Sequence, residues 1–364
     1  MDYICSKCGK KAPTTTRQAK CECGGLWNLD YVPPKFSLDD IDRDEWSMFR
    51  YRNFMAVDGD GWKEISLGEG MTPVVRLDEN VLLKMDYFMP TLSFKDRGAA
   101  VLIAHCKAIG VGYVVQDSSG NAGNSVAAYS GKAGIKCEIF VPEGTSPGKI
   151  DMIRAHGATC TVVPGSRDHC ADVCRSKVDT DGCYYANHVY NPYFYEGTKT
   201  YIYEAFEQLK RMPKHIIIPV GNGTLFLGAI YALEHLLASG VIEEMPKIIA
   251  LQSQNCDPLL QAAERGEDKP AKVTPTPTIA EGIAIGLPMR GEEILRLTHK
   301  YNIKYVHAPE DKIMEARAAL AKKGIYCEHT TAANYAAYLH YCELYGTAED
   351  CLITMCGAGL KSDH

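Results

Sequence analysis

Short apolar segments rich in β-branched residues recur along the chain, and each is bounded by glycine, proline or polar residues. They cover residues 111–116, 136–141, 159–163, 215–220, 247–251 and 351–355. Apolar residues in these segments tend to follow one another instead of alternating with polar ones, which is typical of strands covered on both faces. The sequence therefore predicts buried parallel strands.

Segments with helical periodicity separate the predicted strands, at residues 124–132, 147–156, 197–210 and 225–237. Alternation of strands and helices is typical of α/β folds, in which helices cover both faces of a parallel sheet. A chain of 364 residues is too long for one small core, and it predicts two domains with a small appendage. We expect two open, mostly parallel-sheet domains with the functional site in a cleft between them.

Charged residues of both signs are interspersed, and the formal net charge is −6. Such a chain offers no basic stripe to nucleic acid and no polybasic patch to a membrane. Its amino terminus lacks a basic segment followed by an apolar run, and no stretch approaches the roughly 20 apolar residues of a membrane helix. The sequence predicts a cytoplasmic protein that acts on a small molecule, with no nucleic-acid or membrane partner.

Four of the fifteen cysteines stand at the amino terminus, as Cys5-x-x-Cys8 and Cys21-x-Cys23. Two close pairs of thiolates can surround a tetrahedral zinc ion and hold together a segment that has little core of its own. A structural zinc in a ribbon over residues 1–30 is one interpretation. A degenerate ribbon with free thiols is the other, because the second pair is tighter than usual. The remaining cysteines lie in apolar segments and are predicted to be reduced.

One lysine stands among small and aromatic residues, in the run Pro90-Thr91-Leu92-Ser93-Phe94-Lys95-Asp96-Arg97-Gly98. A partly desolvated amine in this setting suits Schiff-base catalysis. Taken alone, however, Lys95 is more typical of a solvated lysine at a helix start. Two loops farther along the chain change that interpretation.

Each of these loops follows a predicted strand and opens a predicted helix. Ser118-Ser119-Gly120-Asn121 can hold a carboxylate through backbone N–H groups and hydroxyls, although such a run alone is usually a serine-capped turn. Gly221-Asn222-Gly223-Thr224-Leu225 lets the backbone approach a phosphate. No Gly-Lys-Ser/Thr follows it, and Gln252 stands where a dinucleotide-binding loop requires an acidic residue, so both nucleotide interpretations fail.

Together the lysine segment and the two loops resemble the pyridoxal-phosphate enzymes of the tryptophan synthase β-subunit fold (fold type II), and within them threonine synthase. The resemblance implies that Lys95 forms a Schiff base with pyridoxal 5'-phosphate (PLP) and then removes the substrate α-proton. The cofactor contacts that it implies are Lys95, Phe94, Asn121, Gly221, Asn222, Gly223, Thr224, Leu225 and Cys356. The substrate contacts that it implies are Ser118, Ser119, Gly120, Asn121, Ala122 and His188.

Cys356 precedes Gly357-Ala358-Gly359 at the end of the last predicted strand, where the family places the residue that faces the pyridine nitrogen. A neutral thiol cannot stabilise a protonated ring as a carboxylate does, so the resemblance implies a moderate electron sink suited to β- or γ-elimination and replacement. A plain buried cysteine at a strand end is the alternative.

The resemblance covers nearly the whole chain, including the segments Ile65–Val74, Glu196–Thr200 and Ile279–Ala284, and some threonine synthases carry a similar amino-terminal ribbon. It implies a larger cofactor-binding domain from residues 31–93 and 191–364, and a smaller, mobile substrate-binding domain from residues 94–190. It also implies a homodimer.

Departures from the threonine synthase pattern concern the substrate. Ala122 replaces a threonine, and His188 and Phe194 stand where serine and arginine bind the phosphate of O-phosphohomoserine. Loss of a bidentate arginine removes a strong charge-assisted contact, so we do not expect a phosphorylated substrate. His188 and His329 are acid/base candidates or structural histidines. A tyrosine cluster nearby forms either a more apolar substrate pocket or interdomain packing, and comprises Tyr184, Tyr185, Tyr190, Tyr193 and Tyr195.

We therefore expect a PLP-dependent lyase or synthase that acts on a small L-amino acid by β- or γ-elimination or replacement. A serine/threonine dehydratase-like deaminase is the enzymatic alternative. A non-catalytic binding or regulatory protein of the same fold is the other, and the joint presence of Lys95, Asn121 and the phosphate loop disfavours it.

Overall fold

The computed structural model describes residues 1–361, and the chain divides into two compact units. Unit 1 comprises Met1–Pro34, Asp40–Gly70 and Lys95–Thr198, and unit 2 comprises Lys35–Asp39, Met71–Phe94 and the chain from Lys199. Within residues 1–361 no helix is both long enough and apolar enough to span a membrane.

The strands of the described chain are β1 (Asp2–Cys5), β2 (Lys11–Pro13), β3 (Trp27–Asp30), β4 (Val74–Arg76), β5 (Val81–Lys84), β6 (Tyr113–Gln116), β7 (Lys136–Pro142), β8 (Thr159–Val163), β9 (Tyr184–Tyr185), β10 (His215–Pro219), β11 (Lys247–Ser253), β12 (Lys304–Ala308) and β13 (Cys351–Thr354). The α-helices are α1 (Lys95–Ala108), α2 (Asn121–Ala133), α3 (Pro147–Ala155), α4 (Arg167–Asp181), α5 (Pro192–Leu209), α6 (Thr224–Ser239), α7 (Pro258–Glu264), α8 (Gly291–Lys300), α9 (Ile313–Ala321) and α10 (His329–Tyr345).

Unit 1 contains two sheets. The amino-terminal ribbon is a three-stranded antiparallel sheet in the order β2-β1-β3. The other sheet is parallel, in the order β8-β7-β6-β9, and α2, α3 and α4 pack against it. Its central strands are apolar, and Val114, Val115 and Ile139 are fully buried, as a strand covered on both faces requires.

Unit 2 contains a six-stranded sheet in the order β12-β11-β10-β13-β5-β4. The edge strand β4 is antiparallel to β5, and the other pairings are parallel. Ile216, Ile217 and Ile218 of β10 are fully buried, and α6 and α10 pack against this strand. The strand runs directly into the glycine loop at residues 221–223.

The predicted fold class is confirmed, since both larger sheets are wholly or mostly parallel and flanked by helices. Each of the six predicted strand segments contains a strand, and each helical pattern lies on a helix, namely α2, α3, α5 or α6. The pattern did not predict β5 (Val81–Lys84), which ends in a lysine although all four of its residues are buried. It also did not predict β9, which is only two residues long.

Residues 40–70 fall in unit 1, whereas the sequence analysis placed all of 31–93 with the larger domain. Tertiary hydrogen bonds account for the difference. The Tyr129 hydroxyl of α2 donates to Glu69 Oε2 at 2.9 Å, and Asp58 Oδ2 lies 3.1 Å from His105 Nδ1 of α1. The functions and the mobility assigned to the two domains stay predictions.

A buried ion pair in unit 2 connects the segment Met71–Phe94 to α5. Lys84 and Glu204 are both completely buried and form a salt bridge. Glu204 also accepts hydrogen bonds from the N–H groups of Met71 and Thr72, at 2.8 and 2.7 Å. Charges taken out of water need both a counter-ion and further hydrogen bonds, and this network supplies them. Lys84 is therefore a structural residue of unit 2.

Replacement of Lys84 with Met should lower the free energy of unfolding by about 3–5 kcal/mol, because it leaves the Glu204 carboxylate buried without its counter-ion. Denaturant unfolding followed by circular dichroism measures the change. The matched control is Lys63→Met, which removes a lysine from a solvent-exposed ion pair with Asp60 and should have little effect. Equal shifts for the two variants would contradict the structural role of the buried pair.

Candidate active site

Lys95 is the first residue of α1 and is partly buried. Its Nζ lies 5.9 Å from the centroid of the Phe194 ring. The peptide that precedes it is anchored in unit 2, where the Phe94 N–H donates to the Cys356 carbonyl at 2.9 Å and Ser93 forms a bridge with Gly357. The backbone position of this lysine is thus fixed on its amino-terminal side.

The two residues after Lys95, Asp96 and Arg97, are completely buried. The Ser125 hydroxyl of α2 donates a hydrogen bond to Asp96 Oδ1. A carboxylate in the first turn of a helix also interacts favourably with the helix dipole. The sequence analysis did not identify Ser125. Its position one turn into α2, the helix after the Ser118–Asn121 loop, was the only feature that could have indicated a role.

The Ser118–Asn121 loop joins the end of β6 to α2, as predicted. Ser118 and Ala122 are buried, whereas Ser119, Gly120 and Asn121 are partly exposed. Gly123 has no room for a side chain because a Cβ there would overlap the Ser118 carbonyl. Backbone N–H groups at the start of α2 and the serine hydroxyls are suited to binding a carboxylate.

Asp117 connects this loop to the segment after β9. Its Oδ1 accepts hydrogen bonds from the Tyr185 hydroxyl at 2.6 Å and from Asn187 Nδ2 at 2.8 Å. The Asn187 Oδ1 in turn accepts from the Val189 N–H at 2.8 Å. These bonds fix the backbone on both sides of His188. The sequence analysis assigned no role to Asp117, whose effect depends on partners about 70 residues away.

His188 and Phe194 lie together in unit 1. His188 is 7% exposed and Phe194 is completely buried, with their ring centroids 5.7 Å apart in an edge-on arrangement. Burial, followed by the positive charges of Lys95 and Arg167, holds the pKa of His188 well below its usual range. The Phe194 ring fills the space above Gly98 of α1, where any Cβ would overlap it.

The glycine loop after β10 has the geometry of an anion cradle. Gly223 adopts a left-handed conformation (φ +80°) as the N-cap of α6, which favours glycine. A Cβ on Gly221 would approach the Gly282 carbonyl oxygen and the Ile283 Cα at 3.1 Å each. Side chains at 221 and 223 would restrict the space at the start of this sixteen-residue helix, and anions bind at helix starts. Asn222 is partly exposed, while Thr224 and Leu225 are buried.

Cys356 is buried at the end of β13. Asn334 of α10 donates from Nδ2 to the Thr354 carbonyl at 2.6 Å and contacts Cys356 Sγ at 3.5 Å. The Asn334 Oδ1 is buried without a hydrogen-bond partner in the described part of the chain. This strand end therefore presents a thiol and an amide.

Two further groups from the sequence analysis have structural contacts. His329 Nε2 lies 3.2 Å from Arg317 NH1, and Arg317 donates to the Cys327 carbonyl at 2.8 Å. Four members of the tyrosine cluster make contacts inside unit 1: Tyr184 with Asn191, Tyr185 with Asp117, Tyr193 with Asp58, and Tyr195 with the Val189 carbonyl. Both sets of contacts favour packing over direct substrate binding.

A model of the family described as pyridoxal-phosphate dependent enzymes matches residues 65–357. The chain belongs to this family. It is 31% identical to the threonine synthase of Methanocaldococcus jannaschii over 348 residues, which cover 91% of this chain and 85% of that protein. It is also 31% identical to the threonine synthase of Mycobacterium leprae over 325 residues, 85% of this chain and 87% of that protein.

Solved structures show the same fold. The processed form of threonine deaminase isoform 2 from Solanum lycopersicum superposes with a TM-score of 0.71 and 22% identity, covering 92% of this chain and 88% of the other. Maize serine racemase gives a TM-score of 0.69 with 20% identity, covering 84% and 94%. Because these neighbours and the threonine synthases are named for different reactions, the family and fold leave the substrate open.

The residues of this chain fit the cofactor of the family. The loop at 221–223 provides a cradle for a phosphate, Lys95 provides an amine, and Cys356 provides a thiol. The lysine precedes a buried first helical turn and is itself partly exposed.

The amino-terminal cysteines converge as the sequence predicted. The Sγ atoms of Cys5, Cys8, Cys21 and Cys23 all lie within 4.8 Å of one another. Burial would raise the pKa of Cys5, but hydrogen bonds from the Cys8 and Lys7 backbone and from the Cys23 thiol lower it to about 6. Four close thiols, one of which readily ionises, fit a tetrahedral zinc ion. The presence of zinc stays a prediction.

Elemental analysis of the purified protein should find about one zinc ion per chain, because four thiolates complete a structural site. The double variant Cys5→Ser/Cys8→Ser should lose the metal, whereas Cys256→Ser, which alters a buried cysteine outside the ribbon, should retain it. Metal-free wild-type protein with four titratable ribbon thiols would show that the ribbon works without zinc.

Proposed function

We propose that this protein is a PLP-dependent lyase or synthase that acts on a small, unphosphorylated L-amino acid. It would abstract the α-proton and then carry out β- or γ-elimination or replacement. The observation that carries the proposal is the position of Lys95, which begins α1 as a partly exposed amine beside the uncharged aromatic ring of Phe194. Family membership supports the cofactor, and the apolar ring of Phe194 beside Lys95 supports the substrate class.

Lys95 would hold the cofactor covalently and, once released by the incoming substrate amine, would take the α-proton on Nζ. When bound, PLP supplies an electron sink for the electron pair left at the α-carbon. Asp96 and Arg97, the next two residues, are completely buried, so the lysine backbone would keep its place while the side chain exchanges partners. A fixed backbone with a flexible side chain suits a residue with two successive roles.

The Ser118–Asn121 loop would bind the substrate carboxylate. Its support is the helix start at Asn121 together with the Asp117 hydrogen bonds, which hold the loop in one conformation. Anion binding at a helix start needs no positively charged side chain. Asn121 would in addition donate to the phenolic oxygen of the cofactor, as the family resemblance implies.

Gly221–Leu225 would bind the cofactor phosphate, and Cys356 would face the ring nitrogen. An uncharged thiol stabilises a positive charge less well than a carboxylate does, and the Sγ of Cys356 contacts the Asn334 amide and the Thr354 carbonyl. This chemistry favours elimination and replacement at the β- or γ-carbon. A serine/threonine deaminase reaction, in which the β-hydroxyl leaves as water and a second water then hydrolyses the released imine to a 2-oxo acid and ammonia, would use the same residues.

Replacement of Lys95 with Ala should abolish the covalent cofactor, because no amine then stands at the start of α1. The measurements are the visible absorption of the purified protein and, after borohydride reduction, the mass of the labelled peptide. Lys107→Ala in the last turn of the same helix is the control and should keep both signals. An unchanged absorption band and a stable adduct in the Lys95 variant would exclude this lysine, and no band in wild-type protein would favour the non-catalytic alternative.

O-phosphohomoserine and O-phosphoserine should bind less well than serine, threonine, homoserine or O-acetylserine. A bidentate arginine–phosphate contact is worth about 1.5–3 kcal/mol, roughly tenfold to a hundredfold in affinity, and Phe194 stands in its place. Steady-state turnover with product analysis, beside spectral titration of the bound cofactor, measures the order. Efficient threonine formation from O-phosphohomoserine would reverse the substrate assignment and leave the cofactor assignment intact.

A further inference from the structure

The imidazole of His188 is buried with an unsatisfied nitrogen. The side chain is 7% exposed, and within residues 1–361 its Nδ1 has no hydrogen-bond partner. Nearly all buried polar atoms in folded proteins are paired, so an unpaired ring nitrogen requires an explanation. Catalytic and binding sites are one place where such atoms occur, because the ligand supplies the partner.

The backbone around His188 is held by hydrogen bonds of its neighbours. Asn187 accepts the Val189 N–H at 2.8 Å and donates to Asp117 Oδ1 at 2.8 Å, which fixes the backbone around the histidine. Asp117 also begins the loop assigned to the substrate carboxylate. His188 is therefore attached to that loop by two consecutive hydrogen bonds.

Phe194 connects the imidazole to the reactive amine. The centroid of the Phe194 ring lies 5.7 Å from the centroid of the His188 ring. It lies 5.9 Å from Lys95 Nζ. The ring is also held against Gly98, one turn after the lysine. The imidazole, the phenyl ring and the amine thus form one continuous patch within unit 1.

The environment of His188 favours the neutral imidazole. Burial lowers the pKa of His188 most, and the positive charges of Lys95 and Arg167 lower it further, so that it lies well below its usual range. A neutral imidazole offers one donor and one acceptor, and it cannot balance a phosphate dianion. Arg167 is exposed at the first position of α4.

We propose that His188 determines substrate specificity by hydrogen-bonding, through its buried ring nitrogen, an uncharged oxygen on the substrate side chain. The oxygen would belong to a hydroxyl or an acyl ester on the β- or γ-carbon, which is the group that leaves. This assignment rests on the proposed function, since it takes the substrate to be bound at Lys95. Phe194 supports the same selection because it places a buried apolar ring beside His188, where a phosphate would need a cation.

The test uses the cofactor-loaded full-length protein and compares His188→Leu with His188→Gln. Leucine has a similar volume but cannot hydrogen-bond, so the variant should bind serine and O-acetylserine about tenfold more weakly. Binding of L-alanine, which has no side-chain oxygen, should change less than about twofold. Glutamine can both donate and accept, and should restore most of the loss. Arg167→Gln should leave the serine-to-alanine ratio unchanged.

Nuclear magnetic resonance of ¹⁵N-labelled imidazoles gives a reading that does not depend on turnover. The His188 ring should stay neutral near pH 6, and its nitrogen shifts should move when serine is added but not when alanine is added.

Equal weakening of serine and alanine in His188→Leu would assign the histidine a purely structural role and overturn the inference, as would no weakening of either. A changed serine-to-alanine ratio in Arg167→Gln would also overturn it by placing the specificity on that cation. These results are distinguishable from failure of the proposed function. Wild-type protein without the visible cofactor band would contradict the proposed function itself, whereas a normal band with no selectivity loss in His188→Leu would contradict only the role of His188.

Discussion

Burial of two opposite charges immediately after Lys95 is the constraint on which the reactive part of unit 1 depends. Asp96 and Arg97 have no access to solvent, and a buried carboxylate is tolerated only when hydrogen bonds and opposite charge replace its water. Ser125 supplies one of these bonds from α2. The starts of α1 and α2 are therefore tied together, and with them the amine of Lys95 and the loop that precedes Asn121. Preorganisation of this kind is what a site needs to act on a small substrate without large rearrangement.

Two helix starts and one aromatic ring then divide the chemistry between them. The loops before α2 and α6 would bind anions through backbone groups, so the positions proposed for the substrate carboxylate and the cofactor phosphate would require no lysine or arginine. Burial and the positive charges of Lys95 and Arg167 keep the pKa of His188 well below its usual range, and Phe194 is apolar. The contrast between backbone-made anion sites and a side-chain site bordered by these two rings is the physical basis for the proposal that the substrate is unphosphorylated.

Sequence reasoning succeeded where the physical cause was local. Runs of β-branched residues such as Ile216–Ile218 favour buried strands. The loops at 118–121 and 221–225 were recognisable because glycine and serine are typical of turns between a strand and a helix. It failed where the cause was tertiary. The assignment of residues 40–70 to unit 1 depends on Glu69 and Asp58 finding partners in distant helices, and Lys84 lies in a strand because Glu204 neutralises it. The replacement of arginine by Phe194 was visible in the sequence, but its fit over Gly98 was not.

The contact between Phe194 and Gly98 also has an evolutionary consequence. Because the ring occupies the volume that a Cβ at position 98 would need, the two positions are not independent. A residue larger than glycine at 98 becomes tolerable only after position 194 has become smaller, and a smaller residue at 194 leaves a cavity until position 98 or its surroundings fill it. Substitutions at position 194 therefore have a preferred order, and a helix position three residues after Lys95 takes part in setting it.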